Sequence, residues 1–130
     1  MTLSEKTRNV NYRRYHSSSC DGRSNKSPSW KGPKKWYRFM APAGTRLPES
    51  PPKFSSPSEG VCGTYHPGWL KGHHPKKAGE VVNRTVCFKS SSSNNCHFIY
   101  TKPVKIRNCG SYFVYYLVDV RGCSSRYCAE

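Results

Sequence analysis

"CGTYHPGWLKGHHP", Cys62 to Pro75, sets one cysteine, three histidines and a tryptophan within fourteen positions. Two folds compete for it. Read as ligands, Cys62, His66, His73 and His74 form the densest group of metal-binding side chains in the chain, and a small zinc-organised domain would follow. Read as backbone, the stretch is a tight loop stiffened by Pro67 and Pro75, on which the histidines do no more than hydrogen-bond to neighbours. Adjacent His73 and His74 do not readily aim at one tetrahedral centre, and no carboxylate or HExxH helix accompanies them. The second reading is preferred, and no metal or cofactor is expected.

Composition points the same way. At 130 residues, with 35% hydrophobic residues, ten prolines and ten glycines, the chain has room for one thin core, and burial alone is a weak source of stability. Aromatic residues at 13% and seven cysteines compensate. Small domains with thin cores need staples, each disulfide contributing on the order of 2 to 4 kcal/mol. Cys20, Cys62, Cys87, Cys96, Cys109, Cys123 and Cys128 are spread along the chain with no CxxC pair, which favours disulfides over zinc. Disulfides imply an oxidising compartment, yet "MTLSEKTRNVNYRR" holds no apolar segment of signal-peptide length. The expectation is therefore a piece of a longer secreted or cell-surface chain, located outside the cell although this sequence carries no signal peptide. No stretch approaches the roughly 18 apolar residues of a membrane span.

Along the chain, residues 1–35 are polar and basic without apolar periodicity, and residues 1–19 are expected as a poorly ordered basic arm preceding a cysteine-rich domain over 20–130. "WYRFM", Trp36 to Met40, reads as a short strand ending at a proline and glycine turn. Five prolines between Pro42 and Gly60 forbid helix or central strand, so an extended surface loop is expected. "EVVNRTVCF" reads as a strand, "KSSSSNN" as a flexible loop, and "HFIYTKPVKIRNC" as a pair of short strands. In the last, Val104 and Ile106 alternate with Lys105 and Arg107 in the period of a half-buried strand. "SYFVYYLVDV", Ser111 to Val120, is the strongest strand signal; apolar on both faces, it predicts a central strand covered on each side. No helix is convincing, although "WLKG" could open one turn. The fold class is small, disulfide-rich and mainly β: short antiparallel strands and hairpins, long irregular loops, little helix.

The net charge of +15 predicts salt-dependent attraction to polyanions, with "KKWYRF", Lys34 to Phe39, the best basic and aromatic patch. A solvated basic surface explains it without nucleic acid, and neither reading calls for seven cysteines. Catalysis is not expected: Cys96 and His97 would point to opposite faces of a strand, and seven acidic residues are too scattered to pair as general acid and base. "NRT" at Asn83 and, weakened by Pro28, "NKS" at Asn25 match the N-glycosylation pattern.

Several blocks in order carry more than composition does: "CD" at Cys20, "WYRF" at Trp36, "AGTRLPE" at Ala43, "CGT...PGWLKGHHP", the sequon ahead of "VCF", "NCGSYFVYYL" at Asn108 and "CSSRYC" at Cys123. Together they resemble the eight-cysteine extracellular domain of uromodulin, the pancreatic zymogen-granule membrane glycoprotein and related zona-pellucida-type proteins, over about Cys20 to Cys128. The resemblance implies that the opening stretch is a structural loop, with Cys62 in a disulfide and with Trp36, Trp69, His74 and Pro75 as structural positions, Trp69 packing; His66 and His73 are extra. It implies pairs Cys20 with Cys123, Cys62 with Cys128 and Cys87 with Cys96. The chain departs from the family where Pro51 stands near an expected cysteine, which leaves Cys109 odd. It also implies an N-glycan at Asn83 open to lectins or bacterial adhesins. The reading is a non-enzymatic, extracellular, disulfide-stapled module for binding or structure; the alternative is a cytosolic basic protein that binds nucleic acid or zinc.

Overall fold

The computed structural model describes residues 1–15, 19–22, 27–54, 59–89, 96, 101–120 and 125–130. Seven strands form one sheet in the order β1-β2-β6-β5-β4-β3-β7: β1 (Thr2–Leu3), β2 (Lys35–Phe39), β3 (His66–Lys71), β4 (Val81–Phe88), β5 (Thr101–Asn108), β6 (Phe113–Leu117) and β7 (Ser125–Tyr127). The five inner strands pair antiparallel, whereas the two edges, β1 on β2 and β7 on β3, pair parallel. Helix among the described residues is a single 3-10 turn, Lys6–Arg8. The mainly β, disulfide-rich class is as the sequence reads.

Period two assigns the faces. Tyr37, Phe39, Leu70, Val86, Val104, Ile106, Tyr115 and Leu117 lie on one face and are buried, joined from outside the inner strands by Leu3, Trp30, Ala43, Leu47 and Tyr127. The alternate residues look the other way: Asn83, Lys105 and Arg107 are exposed, Val114 and Tyr116 half-buried. β6 is thus central by hydrogen bonding, between β2 and β5, but covered on one face, not on both as its composition predicts. Its strand also stops at Leu117.

Other expectations are corrected. "WLKG" lies within and just beyond β3 rather than opening a helical turn, because Trp69, Leu70 and Lys71 pair with Cys87, Val86 and Thr85 of β4; Gly68 before it must be bare, since a Cβ there would come within 2.8 Å of the Phe88 ring and 2.9 Å of the Arg126 carbonyl. The described part of "HFIYTKPVKIRNC" is one strand, with Pro103 tolerated because β6 pairs only with Lys105–Asn108 and leaves one side of the strand without a hydrogen-bonding partner there. Residues 97–100 of that stretch, and all of the loop expected over 89–95 except Lys89, lie outside the described residues. The proline-rich segment after Pro42 forms no strand among its described residues, yet it is no mere surface loop, since Ala43 and Leu47 are fully buried in the core.

The largest correction is at the N-terminus, which is folded. Leu3 is in the core, β1 pairs with β2, and the guanidinium of Arg8 is wholly buried. Arg8 donates to both oxygens of Asp21 at 2.8 and 2.6 Å, to Glu5 at 2.8 Å and to the Tyr127 carbonyl at 2.9 Å. Asp21 in turn accepts the Tyr127 backbone N–H at 2.9 Å. Arg126, also buried, donates to Ser27, Thr7 and the Cys62 carbonyl. The "arm" is stitched to the last strand by paired charge rather than by apolar periodicity.

Candidate functional site

The opening stretch begins with a turn. Val61 and Thr64 exchange backbone hydrogen bonds across Cys62 and Gly63, both at positive φ, 49° and 77°. That is the dihedral pattern of a two-residue hairpin turn, in which asparagine more often holds the first place. Cys62 is fixed in it by the bond from its N–H to the Tyr12 carbonyl and by a disulfide to Cys128. A second disulfide joins Cys87 to Cys96, and Cys109 is a free thiol. Cys20 is disulfide-bonded; its implied partner Cys123 lies outside the described residues, as does Asn25.

The histidines separate. His66 is half-buried in β3, where burial lowers its pKa, and the side chain of His73 is largely exposed. His74 is the organised one. Its Nδ1 lies 2.6 Å from Glu49 and its Nε2 lies 2.7 Å from the Tyr115 hydroxyl. The Leu47 N–H donates to that hydroxyl, so the phenol proton goes to Nε2, and Nδ1–H goes to Glu49. Burial holds the His74 ring below its ordinary pKa against the pull of Glu49. Burial also raises Glu49, but the His74 backbone N–H and both imidazoles outweigh it and hold the carboxyl near 2. Burial pushes the Tyr115 phenol up.

A cleft of about 300 Å³ opens beside this network, lined by Arg46, Glu49, His73 and His74 among others. It has the order of a catalytic relay and lacks its terminus: Tyr115 is 0% exposed, and its hydroxyl bridges Leu47 and His74. The group ties the loop at Leu47 and Glu49 to β6. Pro75 is buried and its carbonyl accepts from Asn108 at 2.8 Å. Among the described residues no three His, Cys, Asp or Glu side chains are grouped to hold a metal ion.

Trp69, which the resemblance implies packs, and Trp36 both lie on the open side of the sheet. Trp36 is 39% exposed and Trp69 is half-buried, because their neighbours Tyr37 and Leu70 take the core-facing positions. Trp30, within a stretch that showed no periodicity, is the buried indole, stacked on Tyr37 at 4.9 Å.

The open face is the surface left to act. One row crosses four strands in register, Asn83 on β4, Lys105 on β5, Tyr116 on β6 and Trp36 on β2. Asn83 is exposed at the position where β3 has already ended its pairing with β4 at Thr85, so among the described residues no strand pairs with β4 on that side of it. A shallow hollow beside it is lined by Pro103, Lys105, Tyr116 and Val118.

These features define a disulfide-stapled, mainly β module with one covered and one open sheet face. A family model described as a uromodulin-like domain matches residues 37–129. The chain is 36% identical over 99 residues to the pancreatic secretory granule membrane major glycoprotein GP2 of Rattus norvegicus. It is 38% identical over 97 residues to that glycoprotein of Canis lupus familiaris, and 30% identical over 96 residues to uromodulin of Rattus norvegicus. The chain belongs to this uromodulin-like domain family. Each match takes in 73% of this chain and 17%, 17% and 14% of the relatives respectively, so the chain spans less than a fifth of the proteins it resembles.

Proposed function

We propose that the chain is a non-enzymatic, extracellular binding module that presents an N-glycan on Asn83 to lectins or bacterial adhesins. The observation that carries the reading is the place of Asn83: exposed, on the uncovered face of a rigid sheet, beyond the end of the neighbouring strand. A glycan rooted there projects from hydrogen-bonded backbone on β4 and β5 rather than from a loose loop. Non-enzymatic character is supported by the fate of the chemically able groups: Glu49, His74 and Tyr115 are consumed by one another, and Cys62 and Cys87 by disulfides. An extracellular setting is supported by those disulfides and by kinship with a secretory granule membrane glycoprotein.

The test is secretion from a cell that builds mannose-rich glycans, followed by binding to a mannose-specific lectin before and after Asn83→Gln. Binding lost in the variant is expected. Binding unchanged by the substitution removes Asn83 as the presenting site.

A further inference from the structure

Strands β2 to β6 hold seven lysines and arginines and no aspartate or glutamate. The acidic residues sit elsewhere, and most are engaged there: Glu5 and Asp21 on Arg8, Glu49 on His73 and His74, Glu130 on Arg46. Charge is therefore segregated, and the open face carries uncompensated cations beside aromatic rings. Lys105 and Arg107 lie two residues apart on β5, both exposed, with no carboxylate partner among the described residues. Arg38, on the same face of β2 and half-buried, lies 3.8 Å over the Tyr112 ring, its Nε buried without a hydrogen-bond partner among the described residues. Beside these cations, on β2 and β6, Trp36 and Tyr116 meet at 5.5 Å with their planes 58° apart.

We propose that this end of the open face binds a sulfated linear polysaccharide, with Arg38, Lys105 and Arg107 pairing with sulfates and the rings of Trp36 and Tyr116 lying against the sugar. The cations fix the sign of the ligand, and the flat array across β2, β6 and β5 suits an extended chain. Nucleic acid fits less well on two counts. Rings inclined at 58° do not form the parallel platform on which successive bases stack, and a fold held by disulfides belongs to a compartment where sulfated sugars, not nucleic acids, are the abundant polyanions. The polysaccharide site does not depend on the glycan at Asn83, although that residue pairs in register with Lys105 and its glycan flanks the same surface.

The experiment uses the full chain secreted in glycosylated form and as Asn83→Gln, with a heparin-derived hexasaccharide as probe. Lys105→Glu with Arg107→Glu is expected to weaken binding about tenfold or more. Lys76→Glu with Lys77→Glu, the same change of net charge in an exposed turn, is expected to change it by roughly twofold or less. Trp36→Ala is expected to cost roughly fivefold without altering the salt dependence, as befits a stacking contact. The gentler Lys105→Gln with Arg107→Gln keeps the test sound if charge reversal impairs folding. Equal losses in the two double reversals would show diffuse charge attraction and overturn the proposal. Tighter binding of a single-stranded oligonucleotide than of the hexasaccharide would overturn the choice of ligand. A normal polysaccharide response with no lectin response at Asn83 would sink the glycan reading alone, and the reverse result would sink this one alone.

Discussion

The two faces of the sheet use the same residue type in opposite ways. Behind the covered face, arginine is structural: Arg8 is buried with its donors spent on Asp21, Glu5 and Tyr127. On the open face Lys105 and Arg107 stand with no carboxylate beside them among the described residues. A net charge of +15 says nothing of this division. What separates a staple from a binding group is where the carboxylates lie, and four of the seven gather with the termini and the His74 loop.

The division breaks most severely at Arg8. Asp21→Ala leaves a buried guanidinium without its bidentate partner and the Tyr127 N–H without an acceptor, and it is expected to cost about 3 to 5 kcal/mol in denaturant unfolding. Glu5, which also pairs with Arg8, adds a pH dependence. Burial raises its pKa, but the Arg8 charge and hydrogen bonds from Ser29 outweigh it and hold it near 2. The folded pKa is the lower one, so this stabilisation is complete above about 4.5 and is lost as pH falls towards 2.

The disulfides come next. Removing Cys62 and Cys128 together frees a loop of 66 residues, expected to cost about 4 kcal/mol on chain-entropy grounds. Removing Cys87 and Cys96 frees only nine, expected to cost about 2.5 kcal/mol. The order of the two midpoints in urea checks the assignment of the longer staple to the fold as a whole.

A smaller effect falls on His74. Its folded pKa lies below its ordinary value, so between the two the unfolded chain binds a proton that the folded chain refuses. Stability is therefore expected to decline as pH drops below about 6.5, and a His74→Gln variant to lose that part of the slope. An undiminished slope would assign it to other groups. Smallest of all is the open face: Lys105→Gln with Arg107→Gln is expected to stay within about 0.5 kcal/mol of the parent in unfolding, since neither cation has a carboxylate partner among the described residues.

How much of this was legible in the sequence follows from the range of each interaction. β5 announces itself because alternation is local, Val104 and Ile106 against Lys105 and Arg107 already separating its faces, and β6 through its run of aromatic and β-branched residues, which cannot say that only one face is covered. Trp69, whose packing the resemblance implies, is half-buried because period two hands the core-facing position to Leu70. Arg8, Asp21 and Arg126 carry no local signal: the contact from Arg8 to Tyr127 spans 119 residues, and a basic residue in a polar stretch looks the same whether solvated or buried. The His74 network was half legible, its histidine marked by the resemblance, its partners Glu49 and Tyr115 set 25 and 41 residues away.

The stretch from Cys62 to Pro75 is held at its start by the disulfide from Cys62 to Cys128. Intact mass of the natively produced protein after thiol alkylation, without and with prior reduction, tests this directly. One alkylated cysteine, Cys109, is expected before reduction and seven after it. Seven alkylated cysteines before reduction, or a native mass increased by bound zinc, would contradict it.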